Sequence, residues 1–469
     1  MRTTLSFVLS LLLFASPAFA LGDLPMENLF KQADGESSKS LGADMALVGI
    51  DEDFFLQLSL NTELNLGKIG LGLQIPLNLR VIDKDPKSDN DYYGLIRYED
   101  WDETSEYFRV IRYARYGQKR DPFYIRVGEL AADIGHGTIV GRYLNNIDID
   151  TFRVGMQLDI NSDYGGIETL VSDLGSIAGN TTRSQLVGGR LYMKPMAVID
   201  PSSMLNIISL GFSAVTDLNS PSELNRDVNG VALTNDDGQI DVSKSKQTTV
   251  YGVDLDIDLL HNALVDLVPY VDLNKIDKAG WGLHVGTFAK FKLPIGLSLE
   301  LPIRAEYRRF QENYIPIYFS EFYEIERYLY PIGSPNGSPK GAVIRNAASG
   351  DGLNGYYAQA AFDFVGLVQI GAIYEDYNIG NPNLAAFLAV PALDIIDFKA
   401  YYARTGITGT DDIFKFDDRS MAIAQGQYEV IPFVFVVAQF TRQWMLQESS
   451  GLYESTDSWK FGVSYDFNF

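Results

Sequence analysis

Strict alternation of apolar and polar side chains is the dominant pattern of this chain. Residues 54–66 place apolar side chains on one parity and polar ones on the other, and residues 69–81 repeat the pattern after the turn Gly67-Lys68. Successive side chains of a β-strand point to opposite faces, so each segment predicts a strand with one apolar and one polar face. Both segments exceed the usual strand length of about five or six residues. They suit tilted strands that cross a lipid bilayer.

The same alternation continues to the end of the chain. It predicts strands near residues 54–66, 69–81, 107–116, 122–131, 151–161, 164–172, 185–196, 204–216, 248–260, 265–274, 280–293, 297–311, 355–365, 367–376, 395–405, 420–430, 433–443 and 458–469. Two weaker segments, 44–50 and 384–391, raise the total from about 18 to about 20 strands. The predicted fold is therefore all-β: a transmembrane antiparallel up-and-down β-barrel of about 18 strands, within a range of roughly 16–20.

Two positions do not fit the alternation. Pro76 lacks the N–H that a strand ladder needs, which predicts a bulge or a local break. Arg112 falls on the apolar parity, where a charge facing lipid at mid-depth would cost roughly 2–4 kcal/mol. A bulge or a position near the rim is therefore expected at Arg112.

Loop lengths alternate as well. Short turns such as Ser162-Asp163 separate long connections at 83–106, 132–150, 217–247, 312–354, 406–419 and 444–457. Short periplasmic turns and long external loops are typical of a barrel with both termini in the periplasm. The acidic loop 83–106 predicts a solvated surface; divalent cations that bridge its carboxylates to outer-leaflet phosphates are the alternative.

The last eleven positions, 459–469, carry aromatic and apolar residues on one parity and end on Phe469. An open strand edge normally carries charge, Pro or a polar tail, so this strand is expected to close on the first one. The ending resembles the C-terminal signature of bacterial outer-membrane β-barrels. That resemblance implies a location in the bacterial outer membrane, among its lipids. It also implies that Tyr465, Phe467 and Phe469 form the signal recognised by the barrel-assembly machinery.

The N-terminal region predicts export. Residues 1–20 combine Arg2, an apolar run and the small-residue site Ala18-Phe19-Ala20, which are the three parts of a secretory signal peptide. Residues 21–43 predict a short periplasmic or lumen-inserted segment, and residues 44–469 predict the barrel as one domain. The chain has no cysteine, so disulfides and thiolate chemistry are excluded.

Composition and charge exclude several classes of function. Mean hydropathy is −0.04, but alternating strands hide a membrane face within an average value. The net charge of −23 argues against a nucleic-acid partner. His136, His261 and His284 lie in no nucleophile or metal motif. No catalytic residue, metal or cofactor is predicted, and the protein is not expected to be an enzyme.

Charged residues on the polar parity form two groups, arginines near 107–161 and aspartates near 248–274. The candidate lumen residues are Arg109, Arg115, Arg126, Arg153, Asp254, Asp256, Asp258, Asp266 and Asp272. A basic wall that faces an acidic wall would place a transverse field across a water-filled lumen. General porins, with an arginine ladder facing loop carboxylates, resemble this arrangement. Neighbouring salt bridges that rigidify a closed interior are the alternative.

The longest connection, 312–354, is rich in aromatic residues in its first half and in Pro and Gly in its second. Aromatic side chains in such number are expected to pack against the rim, the lumen wall or a partner. A fold over the mouth or into the lumen would form a constriction. The candidate constriction residues are Phe319, Phe322, Tyr323 and Tyr328.

The function predicted from these features is a porin or substrate-selective diffusion channel for small hydrophilic solutes. Barrels of 16 or more strands leave space that side chains cannot fill. A transporter of hydrophobic compounds, or a structural or adhesive barrel that binds a partner through its long loops, is the alternative. A barrel hydrolase ranks last, and an oligomer is compatible with the pattern.

Overall fold

The structure is a computed structural model. It describes residues 38–50, 53–83, 96–97, 100–101, 106–148, 151–175, 184–235, 239–294, 298–332, 337–347, 350, 352–364, 367–378, 380–393, 396–447 and 450–468. The signal peptide 1–20, most of the segment 21–43, most of the acidic loop 83–106, and Phe469 lie outside the described residues.

Twenty strands of the described residues form one closed antiparallel barrel. They are β1 Ser38–Ile50, β2 Asp53–Leu66, β3 Ile69–Ile82, β4 Ile111–Tyr116, β5 Phe123–Gly128, β6 Gly155–Ser162, β7 Gly165–Val171, β8 Leu186–Met193, β9 Ile208–Asp217, β10 Thr248–Ile257, β11 Val265–Ile276, β12 Trp281–Pro294, β13 Ser298–Phe310, β14 Leu353–Phe364, β15 Val368–Tyr377, β16 Asn383–Leu393, β17 Ile396–Arg404, β18 Ser420–Ile431, β19 Val434–Gln447 and β20 Leu452–Asn468. Each strand pairs with the next, and β1 closes the barrel on β20. Leu260–His261 continues β10 along β11 after a break.

The alternation identified every one of these strands. The two weak segments are β1 and β16, so the count of twenty lies at the top of the predicted range. β1 starts at Ser38, six residues before the predicted barrel boundary at 44. The last strand closes on the first as expected, with Phe461 opposite Leu47 and Tyr465 opposite Ala43.

The two parities of the strands face opposite environments. On β20, Trp459, Phe461, Val463 and Tyr465 are about half exposed on the outer surface. Because a monomeric soluble protein rarely exposes a continuous apolar surface, this outer face is the lipid-facing surface of a transmembrane barrel. The opposite parity faces the lumen. Among the described residues, no helix has both the length and the apolar character needed to cross a membrane.

Both irregular positions have a structural explanation. The ladder between β3 and β4 shifts register where Gly72 pairs with Tyr113 and Leu73 pairs with Ile111, so Arg112 occupies a bulge, as expected. Pro76 pairs with Ser59 without a shift on the β2 side. The described pairing with β4 ends at Leu73, and the missing N–H of Pro76 therefore falls beyond the end of that ladder.

The barrel has a turn end, which carries both chain termini and the short turns, and a loop end. Short helices, α1 Pro195–Ile199, α2 Tyr323–Glu326 and α3 Lys340–Asn346, lie in connections. Connections at the loop end include the β5–β6 loop (129–154) and the β13–β14 loop (311–352). Two short hairpins also lie there, Ala131–Ala132 with Tyr143–Leu144 and Pro221–Leu224 with Val242–Ser245.

The β5–β6 and β13–β14 loops fold into the barrel and pair with each other. The backbone N–H of Ile317 donates to Thr138 O (3.0 Å), that of Phe319 to Ile139 O (3.1 Å), and that of Gly141 to Phe319 O (3.2 Å). This short parallel contact joins two segments that are far apart in sequence. Two buried clusters form around it. One packs against residues of β7–β11 and β13, and the other against residues of β14–β20.

Candidate functional site: the lumen and its inserted loops

The four candidate constriction residues are buried inside the barrel. Phe319 and Tyr323 belong to the cluster against β7–β13, whereas Phe322 and Tyr328 belong to the cluster against β14–β20. Phe322 packs edge-on against Trp444 of β19, with ring centroids 5.5 Å apart. The β13–β14 loop therefore reaches both walls and spans the lumen at this level. Within the described residues, neither cluster includes a residue of β1–β6.

Buried polar contacts anchor the β13–β14 loop to the wall. The Tyr323 hydroxyl donates to Asp217 Oδ2 (2.8 Å), and Arg327 Nη2 lies 3.0 Å from the same oxygen. Neither side chain of the Arg327–Asp217 pair is exposed. Glu324 accepts hydrogen bonds from Tyr143 and Ser184, and Arg153 Nε lies 3.5 Å from its Oε2. Arg153 thus supports the loop and does not line open water.

Three of the five candidate aspartates belong to a cluster in which positively charged side chains neutralise the carboxylates. Arg190 of β8 lies 2.6 Å from Asp254 Oδ1 and 3.5 Å from Asp256 Oδ2. His136, at the tip of the β5–β6 loop, places Nδ1 2.7 Å from Asp272 and Nε2 3.6 Å from Asp256. These aspartates therefore link β10 to β8 across β9 and hold an inserted loop in place.

His136 carries a proton at neutral pH. Burial lowers its pKa, but the carboxylates of Asp272 and Asp256 outweigh burial and raise the pKa to about 9. Its ring stacks on Tyr270, with centroids 4.2 Å apart. Both ring nitrogens face carboxylates, so the His136 ring is not directed at a hydroxyl nucleophile as a hydrolase would require.

His136, Asp254 and Asp256 bring ligand atoms within 4.8 Å of one another, which is close enough to hold a metal ion. The Arg190 guanidinium already neutralises these carboxylates. A divalent cation would have to compete with it.

The other two candidate aspartates lie at the turn end. Asp258 is exposed just after β10. Asp266, the second residue of β11, lies 2.7 Å from Lys292 Nζ and 2.7 Å from His261 Nδ1. Neither is part of the cluster around Asp254.

Arg115 and Arg126 stand directly opposite each other on β4 and β5. Arg115 donates to Gly117 O (2.7 Å) and Asn65 Oδ1 (3.2 Å), and Arg126 Nε donates to Glu129 O (2.9 Å). Within the described residues, neither guanidinium forms an ion pair with a carboxylate, and Arg126 Nη2 has no hydrogen-bond partner. The two positive charges therefore lie side by side, and the Glu129 carboxylate is a nearby negative charge beyond ion-pair distance of Arg126.

Glycines on β3 make room for these arginines. A Cβ added at Gly70 would come 2.9 Å from Arg115 Nη2, and one at Gly72 would come 2.7 Å from the Tyr113 ring. The Arg126 guanidinium lies over the same Tyr113 ring, 4.3 Å from its centroid. The Arg115 side chain therefore lies flat against β3. This arginine pair belongs to the part of the wall, β1–β6, that supplies no residue to the loop clusters.

Arg109 Nη1 lies 3.1 Å from Asp100 and is compensated. The arginines on β4–β6 and the aspartates on β10–β11 are about five strands apart, roughly a quarter of the circumference. The two walls therefore do not face each other across the lumen. The aspartates instead form salt bridges with nearby residues, which is the alternative to two facing charged walls.

Sequence reasoning missed two groups of charged residues. Arg190 is not among the candidate lumen residues, although it lies on the lumen parity of β8 opposite Glu168. Arg304, Glu306 and Arg308 alternate along β13 and form a buried ion-pair cluster. Their spacing of two residues on one strand was a usable signal.

Two of the three predicted assembly-signal residues can be located. Tyr465 is about half exposed on the outer face. The backbone of Phe467 pairs with that of Leu41.

No family model matches the chain, and no curated protein matches it in sequence. A search of solved structures finds outer-membrane proteins. OccK3 (OpdO) of Pseudomonas aeruginosa is 11% identical, with 95% of this chain and 98% of that one covered and a TM-score of 0.34. OpdK of the same organism, crystallised with vanillate, is 7% identical at 92% and 99% coverage, with a TM-score of 0.34. OccAB3 of Acinetobacter baumannii is 9% identical at 92% and 100% coverage, with a TM-score of 0.32.

Proposed function

We propose that this protein is a substrate-selective diffusion channel of the bacterial outer membrane for small hydrophilic solutes, and not an enzyme. The support is a closed barrel of twenty described strands with an apolar outer surface. A barrel of this width encloses more space than wall side chains can fill. The two inserted loops occupy part of that space, so the remaining passage is narrowed and selective.

The Arg115–Arg126 pair is the observation that carries the selectivity part of the proposal. An unpaired guanidinium attracts anions and binds carboxylates or phosphates in a two-pronged geometry. The pair lies on β4–β5, in the part of the wall that supplies no residue to the loop clusters; Arg115 is buried and Arg126 is partly exposed. Passage along β1–β6 would bring a solute past these two charges. The channel is therefore expected to prefer anions, and the charged lumen wall gives less support to a transporter of hydrophobic compounds.

Planar-bilayer recordings test this proposal. The wild-type protein should form channels with an anion-selective reversal potential in a salt gradient. The double variant Arg115→Gln/Arg126→Gln lacks two positive charges. Its reversal potential should therefore shift towards cation selectivity. Lys278→Gln removes one positive charge from an exposed side chain in the β11–β12 turn and is the matched control. A wild-type protein without conductance would overturn the channel, and unchanged selectivity in the double variant would overturn the role of the pair.

The location and partners belong to the same proposal. Residues 1–20 would direct export, and the outer surface would contact the lipids of the outer membrane. The assembly machinery would recognise Tyr465 and Phe467 at the end of β20 together with the following residue in the sequence, Phe469. Phe469→Asp is therefore expected to reduce the amount of heat-modifiable, protease-resistant barrel in the outer membrane. The matched control is Phe414→Asp, an exposed position in the β17–β18 loop.

A further inference from the structure

A groove crosses the lipid-facing wall of the barrel over β14–β18. On β15, Ala372 lies between the exposed side chains of Ile370 and Tyr374, so its Cβ points outward as theirs do. The floor of the groove consists of outward-facing alanines of these five strands, Ala360, Ala372, Ala386, Ala400, Ala422 and Ala424. The small alanine side chains leave a space of about 590 Å³ between the larger side chains around them. We call this feature the alanine groove.

The alanine groove is apolar. Phe362, Ile370 and Leu388 form one row along its turn-end side. Within the described residues, no charged side chain lines it. Its volume lies in the range of about 300–1,000 Å³ that is typical of pockets for small organic ligands. Because hydrocarbon surrounds the wall of a transmembrane barrel, the occupant of the groove has to be apolar at this depth.

The shape of the groove favours a flexible chain over a second copy of the barrel. The outer wall of a barrel is convex, and side chains such as Ile370 and Tyr402 project beyond the alanine floor. A second convex wall would rest on these larger side chains and leave the floor empty. An acyl chain is thin enough to lie on the alanines themselves.

The β17–β18 loop (405–419) folds outward and bounds the alanine groove on its β17–β19 side. Phe416 packs against Tyr402 of β17 and Phe440 of β19, with ring centroids 5.7 and 6.1 Å away. All three side chains line the groove. Arg404 Nη1 donates to Lys415 O (2.6 Å) and holds the loop against the wall. The loop therefore places aromatic side chains on the outer surface, where barrels carry an aromatic girdle at the membrane interface.

A cationic side chain lies at the loop-end side of the groove. Lys415 follows the exposed Phe414 and precedes Phe416, and its own side chain is exposed. Its Nζ lies 3.7 Å from Asp417, a carboxylate that Arg404 also binds. Lys415 can therefore reach an anionic group outside the protein. Cations close to a membrane surface attract the phosphates of lipid head groups.

We propose that the alanine groove binds an acyl chain of the phosphorylated glycolipid of the outer leaflet, lipopolysaccharide, and that Lys415 contacts its head group. Both chain termini are expected in the periplasm, which places the loop end in the outer leaflet. The inference rests on the proposed outer-membrane location and adds a specific lipid partner to it. It does not depend on conductance.

Native mass spectrometry of the purified protein, titrated with lipopolysaccharide or with phosphatidylethanolamine in detergent, tests the proposal. Ala386→Trp fills the middle of the groove and should weaken lipopolysaccharide binding about threefold or more, since a handful of carbon–carbon contacts are lost. Ala438→Trp, at an exposed outward-facing alanine of β19 outside the groove, is the matched control. Ala372→Leu is a second filling variant with a smaller side chain. Each variant is first checked for wild-type heat modifiability and salt conductance.

The head-group contact is tested separately. Lys415→Gln should weaken binding of lipopolysaccharide more than binding of phosphatidylethanolamine, which carries no net charge. Lys278→Gln is the matched control, because Lys278 is also exposed and also lies 3.7 Å from an aspartate. Equal effects of the two lysine variants would overturn the head-group contact.

The outcomes separate this inference from the channel. A conducting barrel that binds no lipopolysaccharide overturns the inference and leaves the channel standing, whereas a barrel that binds it without conducting does the reverse. Equal weakening by Ala386→Trp and Ala438→Trp overturns the groove as the binding site. Phosphatidylethanolamine bound as tightly, and weakened equally by Ala386→Trp, overturns the glycolipid assignment. A two-copy mass that Ala386→Trp abolishes overturns the lipid and assigns the groove to a second copy.

Discussion

Two regions of the lumen wall carry arginine, and they differ in what surrounds it. On β8–β13, Arg190 and Arg308 each lie within 3 Å of a carboxylate on a neighbouring position of the wall. On β4–β5, Arg115 and Arg126 face each other with carbonyl and amide oxygens as their only hydrogen-bond acceptors in the described structure. The first region is electrically balanced within itself, and the second has an excess of positive charge.

Arginine therefore has a different role in each of the two regions. Balanced charges beside the β5–β6 and β13–β14 loops hold those loops inside the barrel, because removal of one partner would strand a buried charge. For the arginines of β4–β5, we propose the different role of attracting a passing anion. On this proposal, one part of the lumen wall holds the inserted loops and another part is met by the solute.

Deleting residues 318–345 should have the largest effect on both regions. This segment supplies residues to both buried clusters, so its loss should lower thermal stability and also raise single-channel conductance. Stability is measured by heat modifiability, and conductance in planar bilayers with solutes of graded size. A deletion that lowers stability but leaves conductance unchanged would show that the loop braces the wall without narrowing the passage.

Breaking a single anchor of the β13–β14 loop should have the second-largest effect. Asp217→Ala leaves the buried Arg327 without its carboxylate, which is expected to cost about 3–5 kcal/mol. The unfolding midpoint should fall, and current noise should rise as the loop loosens. Glu223→Ala removes a carboxylate from the exposed pair with Lys244 and should change the stability by less than about 1 kcal/mol. Equal effects of the two variants would contradict the anchoring role of Asp217.

Neutralising the acidic group should have an intermediate effect on ion selectivity. Changing Asp254, Asp256 and Asp258 to Asn removes three negative charges and leaves Arg190 with Glu168 and His136 with Asp272 as remaining carboxylate partners, so the reversal potential should move further towards anions. Asp258→Asn alone should change it less, because that residue is exposed at the turn end. If the triple variant keeps the wild-type selectivity, these carboxylates lie outside the conducting path.

The strands and their closure could be predicted because alternation is a local property of the sequence. A parity assigns a side chain to one face of the wall, and this rule predicts that Arg115 and Arg126, which lie directly opposite each other, share one face. The bulge at Arg112 also followed, since a charge on the lipid face is costly.

The partners of these residues could not be predicted, because parity does not give height along the barrel. Asp254 and Asp266 share the inner face, but one meets Arg190 in the lumen and the other meets Lys292 at the turn end. Which loops insert is also a long-range property. The contact of Thr138 with Ile317 joins residues separated by many strands, and no local pattern announces it.

The dependence of stability on pH should be the smallest of these effects. It concerns only the region of β8–β13, where the charges are balanced. The pKa of His136 is raised to about 9, whereas an unfolded histidine has a pKa of about 6.5. A raised pKa means that protonated His136 stabilises the fold fully below about pH 6.5, and that this contribution is lost as the pH rises through about 9. The unfolding midpoint should therefore fall between these values, by an amount equivalent to roughly 1–3 kcal/mol. His136→Gln should flatten that part of the curve, whereas His261→Gln, a largely exposed histidine at the turn end, should keep it. The arginine pair is not part of the His136 cluster, so the proposed anion preference should stay constant over the same interval. A loss of selectivity that follows the fall in stability would show that the two regions are not independent.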